Sequence, residues 1–426
     1  MYKTARMLQC IATGNSFADD GLRNEEIGQT SLLRAIYENP RFTPRDDKPG
    51  LYRYADFLPI DKILDDSASP VSYWSKGLGS RLNLSRLIVT FSGYWPERGA
   101  FMKTGSFKEC ESYSVCARFP ENKGRLVVAS AGNTARAFIR TASENKIPLL
   151  IVIPEKNINS LFTVSPPADC VQVIAAGNDS DYYDAIALAN KICEYPGFIN
   201  EGGVRNVARR DGMGTTVLSA AETSGIIPDW YVQAIGSGTG AIAAYEANLR
   251  LNASGAYSPR VMRMLLSQNS PFTPIADAWS RRSKIIAPQD ADEARRQIDI
   301  IDAKVLSNRM PPYSITGGLY DVLCSAGGEV TAATNEKIRM AMTLFEESEG
   351  CDICPEAGAA LAALIDAAEK KLIGKDEVVM LNVTGGGMKN IKRDFNLRPV
   401  LPNFIVSRDI VQCDREVDKI CKKLMI

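Results

Sequence analysis

The chain has 426 residues, 45% hydrophobic and 23% charged, with Lys plus Arg and Asp plus Glu equal at 50 each. That balance suits a globular protein of two or three domains with a sizeable core, excludes a disordered chain, and offers no basic face for nucleic acid. Histidine is absent, which removes Ser-His-Asp and Cys-His nucleophile pairs, imidazole metal sites and the commonest general base, so proton transfer falls to Lys, Asp, Glu, Tyr or Cys.

The first residues, MYKTARMLQC, carry no apolar stretch, and the longest early one, PLLIVIP (148–154), is too short to span a bilayer. A cytoplasmic protein without membrane contact is expected. Further on, short apolar runs alternate with helical patterns, which is α/β organisation. LIVTF (87–91), LVVAS (126–130), PLLIVI (148–153), VQVIAA (171–176), WYVQAI (230–235), MLL (264–266) and VVMLNV (378–383) read as buried, mostly parallel strands. Segments 134–145, 181–194, 213–224, 240–251, 333–348 and 357–372 read as helices, because apolar residues recur at helical spacing, as Ala135, Phe138, Ile139 and Ala142 do in the first. The stretch 268–316, with SQNSPFTPIADAW and SNRMPPYS, reads as loop-rich cover for one side of a site. The ten cysteines lack regular spacing, and the C-x-x-C at Cys351 to Cys354 has no second pair. Buried or free thiols are expected, and no metal.

Three of the strands run into loops of small residues: SAGNT (130–134), GSGTG (236–240) and TGGGMKN (384–390). Ligands in open parallel sheets sit outside the carboxyl ends of the strands, so these loops point to one shared pocket. GSGTG leads directly into the helical segment AIAAYEANLRL. Glycines there let the backbone approach an anion, and the amides and positive dipole end of the helix hold it, which makes a phosphate cup. A tight turn without a ligand is the plainer reading of one such loop. A dinucleotide site also fits G-x-G-x-x-A at Gly236, Gly238 and Ala241, but the ribose-binding acid is absent between Glu246 and Asp277, and a Walker lysine is absent too.

MKTGSFKEC (102–110) places Lys108 just past a Thr-Gly-Ser corner. A lysine amine can hold an aldehyde cofactor as a Schiff base and serve as the local proton shuttle once substrate displaces it. Pyridoxal phosphate needs such a lysine and a phosphate cup together. Taken alone, Lys108 reads as a solvated lysine on the first turn of a helix.

The set of motifs resembles the threonine-synthase branch of the fold-type II pyridoxal phosphate enzymes. TGSFKE is similar to that branch's lysine motif, and ASAGNT, GSGTG and TGGGMKN follow in the family's order. NVARRDGMGT (206–215) is similar to its Asn-x-x-Arg-x-acid-Gly stretch, and CPEAGAALAAL (354–364) to its Pro-acid-Ala helix start. The resemblance covers nearly the whole chain. It implies a two-lobed α/β fold like that of tryptophan synthase β, with mostly parallel sheets and pyridoxal 5'-phosphate between the lobes. Residues 1–60 would be an N-terminal extension with a degenerate zinc knuckle, 61–111 and 201–426 the large domain, and 112–200 the small one.

The resemblance further implies that Lys108 forms the imine with the cofactor and Asn133 hydrogen-bonds its ring hydroxyl. The backbone of Gly236, Ser237, Gly238, Thr239 and Gly240 would take its phosphate, and Thr384 would face the pyridine nitrogen. A neutral hydroxyl there does not favour ring protonation, which suits loss of a β-substituent over accumulation of a carbanion. Ser130, Ala131, Gly132 and Thr134 would hold the substrate carboxylate at a helix N-terminus. Outside this constellation Asn133 and Thr384 read as ordinary turn caps.

Within the branch, SGYWPERGAFMKTGSFKE (92–109), LLRAIY with GLYRYADFLPI (32–60) and PPYSITGGLYDVL (311–323) are similar to the members that convert O-phospho-L-serine and sulfite to L-cysteate and phosphate, towards coenzyme M. The implied reaction is a β-replacement by a transferase, and a homo-oligomer is expected. Leaving group and nucleophile are both oxyanions, so one cationic subsite could serve them in turn. Lys103 and Arg136 are its candidate cations, with Arg209 or Arg210 as alternates. Two departures stand out: LQCIATG keeps Cys10 but has Thr13 where a knuckle cysteine would stand, and Gly386 stands where threonine synthases carry His. A threonine synthase acting on O-phosphohomoserine and a non-catalytic cofactor or metabolite binder are the alternatives.

Overall fold

Runs of Val, Ile and Leu without polar alternation bury both faces of a strand. The computed structural model, which describes residues 3–130, 132–177 and 180–424, gathers these runs into two sheets. The larger has six strands in the order Gly328–Ala333, Arg263–Asn269, Trp230–Ala234, Val379–Val383, Leu87–Phe91 and Val71–Trp74. Its neighbours are parallel except the last pair, where Val71–Trp74 runs antiparallel along the edge.

The smaller sheet is parallel throughout, in the order Phe198–Asn200, Arg125–Ala129, Leu149–Pro154, Val171–Ala176 and Phe404–Val406. Although residues 201–426 read together as part of the larger lobe, the strand Phe404–Val406 lies beside Val171–Ala176, and Val417, Cys421 and Leu424 of the last helix pack with Val127 and Leu150. An antiparallel three-stranded sheet of Ser16–Ala18, Arg6–Cys10 and Leu33–Tyr37 forms the N-terminal segment. There Cys10 is buried and Thr13 Oγ1 donates to Glu26 Oε2 at 2.7 Å.

Two expectations change. The helix expected at 213–224 spans Val207–Ser224, capped by the Asn206 side chain accepting from the Ala208 amide. Gly212 hides that start from a sequence reading, yet a Cβ there would lie 2.2 Å from the Cys110 carbonyl oxygen. This glycine lets the Val207–Ser224 helix press against the Lys108–Arg118 helix, and filling it forces a backbone shift costing about 1–3 kcal/mol. Within the loop-rich stretch the structure has two helices, Pro274–Ser280 and Ala291–Ile300. Among the described residues no helix is long and apolar enough to cross a membrane.

Candidate active site

The carboxyl ends of Trp230–Ala234 and Val379–Val383, the Lys108 helix and the loop after Arg125–Ala129 meet around a cavity of about 140 Å³. The lysine corner is tied to the TGGG loop: Ser106 bridges to Gly385, the Phe107 amide donates to the Thr384 carbonyl at 2.9 Å, and the Gly386 amide to the Gly105 carbonyl at 3.1 Å. Gly105 takes φ +68°, a left-handed conformation that L side chains rarely adopt. Lys108 therefore opens its helix facing the cavity, with Nζ 3.0 Å from Glu111 Oε2 and 3.9 Å from Met213 Sδ.

Opposite, Gly236, Ser237, Gly238, Thr239 and Gly240 all line the cavity, and the helix Thr239–Ser254 begins within them. Gly238 sits at φ +80°. A Cβ at Gly236 would lie 3.0 Å from Leu306 Cα, and one at Gly240 would lie 2.7 Å from the Gln233 side chain. Glycine thus keeps a concave cradle open at a helix N-terminus, where amides and dipole favour an anion. A lysine and a phosphate cradle on one cavity fit pyridoxal phosphate.

The third wall is the loop after Arg125–Ala129. Ser130 Oγ accepts from the Gly132 and Ala135 amides at 3.1 and 3.0 Å, which sets the turn into the helix Asn133–Asn145. Asn133 Nδ2 donates to Glu356 Oε1 at 2.7 Å, and Thr134 Oγ1 donates to Glu111 Oε1 at 2.8 Å. Ser130, Gly132, Asn133 and Thr134 line the cavity, as does buried Thr384. Ala131 lies outside the described residues.

Lys103 and Arg136 are placed elsewhere. The corner after Lys103 sends its side chain to the other side of the Lys108 helix, where Nζ is 2.9 Å from Asp66 Oδ2, beside Arg140 in a separate hollow. Arg136 lies one turn past Asn133 and reaches back, donating to Asn133 Oδ1 at 2.6 Å and to the Ser160 carbonyl at 3.2 Å, with its guanidinium 4.5 Å from the centre of the Phe162 ring. Among the described residues, the arginine on the cavity wall is Arg209. Its Nη1 donates to Glu111 Oε1 at 3.0 Å and its Nε to Glu201 Oε1 at 2.8 Å. Arg210, the next residue on the helix, turns away to Glu246 and the Leu33 carbonyl.

Charge balance explains the titration. Burial pushes the Glu111 carboxyl up, but Arg209 and Lys108 outweigh it and hold the group below the usual carboxylate range. Burial lowers Arg209, and Glu111 and Glu201 more than reverse this. Arg136 forms no ion pair among the described residues, and burial, only partly offset by Glu356, keeps its pKa below the ordinary arginine value.

Glu111, Glu356, Tyr182 and Val305–Asn308 also shape this site, although the sequence reading gave none of them a role as a single residue. Glu111 carries a signal, its i,i+3 spacing from Lys108. Glu356 follows Pro355 at a helix start. Val305–Asn308 fall in the 268–316 stretch read as cover for one side of a site, whereas Tyr182 carries no signal, since only the fold brings it here.

Residues 89–385 match the family described as "Pyridoxal-phosphate dependent enzyme". The chain is 42% identical over 403 residues to a cysteate synthase of Methanosarcina acetivorans, covering 94% of this chain and 96% of that one. It is 44% identical over 398 residues to a cysteate synthase of Methanoculleus marisnigri, covering 93% and 92%. With that of Methanospirillum hungatei it shares 42% over 423 residues, covering 99% and 98%. Among solved structures, maize serine racemase has a TM-score of 0.57 at 17% identity, over 76% of this chain and 90% of that one. A fungal L-serine ammonia-lyase from Rhizomucor miehei has 0.55 at 13%, over 77% and 100%. The shared fold is that of the fold-type II enzymes. Likeness of this degree over nearly the full length means that the chain belongs to the cysteate synthase family of pyridoxal-phosphate-dependent enzymes.

Proposed function

We propose that the chain catalyses β-replacement on O-phospho-L-serine by sulfite, giving L-cysteate and phosphate. The observation that carries this reading is the meeting of Lys108 and the Gly236–Gly240 cradle on one cavity, in a chain 42% to 44% identical to cysteate synthases. Bound there, pyridoxal phosphate supplies the electron sink that acidifies the substrate Cα–H and lets the β-phosphate leave.

The chain's own residues supply the rest. The Lys108 amine gives the covalent attachment and, when free, carries the proton to and from Cα. Ser130, Gly132 and Thr134, at the N-terminus of the Asn133–Asn145 helix, hold the substrate carboxylate. At Cβ one C–O bond breaks and one C–S bond forms, so the same place must accept two oxyanions in turn. Arg209 is the arginine within reach among the described residues of the cavity wall, and it replaces Lys103 and Arg136 as the proposed cation. Val305–Asn308 close one side, with Leu306 buried, which limits competition from water.

A threonine synthase is not favoured. Gly386 stands where that activity uses a histidine, and its Cβ direction is closed by the Asp352 carbonyl oxygen at 2.5 Å and Ile353 Cα at 3.1 Å. The test is phosphate release from a substrate panel. O-phospho-L-serine should release phosphate in a sulfite-dependent manner with cysteate as product; release from O-phosphohomoserine, indifferent to sulfite, contradicts the reading.

A further inference from the structure

Glu111 lies on the Lys108–Arg118 helix with its side chain fully closed to solvent. It does not line the cavity, yet each group it holds does. Lys108 Nζ donates to its Oε2 at 3.0 Å, while Thr134 Oγ1 and Arg209 Nη1 donate to its Oε1 at 2.8 and 3.0 Å. These partners come from three segments: its own helix, the first turn of the Asn133–Asn145 helix, and the Val207–Ser224 helix. A carboxylate this deep stays charged only because such partners replace water. Arg209 is shared between two carboxylates, because Glu201 also takes its Nε and Nη2. Among the described residues, the carboxylate paired with Lys108 is Glu111.

A lysine amine sits on a flexible four-carbon stem with three rotatable donors. It is uncommitted at two moments, before it captures the cofactor aldehyde and after substrate has displaced it, and at both its direction decides the rate. We infer that Glu111 is a positioning residue that confines the free Lys108 amine on the cavity side, by bracing it against Thr134 and Arg209. This rests on the reading of Lys108 as the cofactor lysine. Substrate contacts are made by the braced groups, not by Glu111, so its loss should fall on kcat more than on KM.

The test is Glu111→Gln, which keeps the shape and removes the charge. Apoprotein is mixed with pyridoxal phosphate and the near-visible band is followed before any substrate is added; kcat and KM are then measured. Capture should slow by about tenfold and kcat should fall by about tenfold, with KM for O-phospho-L-serine within about threefold of the parent. A variant that captures the aldehyde as fast as the parent, or faster, overturns the inference. If Glu111→Gln does not fold, Thr134→Val removes one brace alone: capture slowed a few-fold supports the inference, and parental capture overturns it. Borohydride trapping separates the two readings. A cofactor mass on another lysine overturns both, whereas a mass on Lys108 with parental capture in Glu111→Gln overturns this one alone.

Discussion

Glu109 and Glu111 stand two residues apart on one helix, both closed to solvent and both bound to an arginine, yet only Glu111 holds groups that line the cavity. Two residues turn the side chain about 200° around a helix. Glu109 meets Arg140 Nη1 at 2.6 Å and the Thr104 amide at 2.6 Å, with Asp66 and Lys103 beyond Arg140. Glu111 meets Lys108, Thr134 and Arg209. The titrations part accordingly: burial outweighs Arg140 and raises Glu109, whereas two cations outweigh burial at Glu111 and lower it. Similar ion pairs brace the fold on one face and shape the cavity wall on the other. Helical direction, not the presence of a nearby cation, decides which.

The strongest way to break this contrast is at the cavity side. Lys108→Ala should cut phosphate release by at least about 10³-fold while leaving the melting curve near the parent's, since what it loses is attachment and proton transfer. The opposite face should answer in stability. Glu109→Ala takes one of the two carboxylates from buried Arg140, leaving Asp66, and should cost about 1–3 kcal/mol in denaturant unfolding. Cofactor capture per folded molecule should stay parental, and slowed capture at unchanged stability would erase the distinction.

A third network, at the far end of the same helix, sharpens it. Asp19 lies between Arg118 and Arg6; burial pushes its carboxyl up, but the two arginines outweigh this and lower it to about 2. Because the folded value lies below the unfolded one near 3.9, its stabilisation is present above about pH 4 and is lost as pH falls through 2, on the order of 2 kcal/mol. Asp19→Asn should flatten that part of the acid unfolding profile. The smallest effect is at the rim. Lys103→Ala removes a partly exposed pair with Asp66, which is worth about 0–1 kcal/mol, and sulfite and O-phospho-L-serine saturation should be unchanged.

The strand-end loops were the legible part of this sequence, because glycines and small hydroxyl residues straight after an apolar run serve close backbone approach. Leu87–Phe91 and Val171–Ala176 fall where periodicity puts them. The start of the Val207–Ser224 helix is masked, since the need for Gly212 comes from the Cys110 carbonyl on another helix. Pro271 and Pro274 likewise make 268–316 read as loop, although Pro274 opens a helix. Lys103 and Arg136 show what nearness in sequence leaves out. Each is within five residues of a cavity residue, but a corner turns one away and a helical turn folds the other back onto Asn133. Tyr182 and Asn308 arrive from distant segments, so only the packed fold shows them together.

The proposed chemistry depends on one amine holding the cofactor. Reduction of pyridoxal-phosphate-loaded protein with borohydride, followed by digestion and peptide mass analysis, should place a single phosphopyridoxyl group on the peptide carrying Lys108. A label on a different lysine, or a loaded protein that takes up no label, would contradict it.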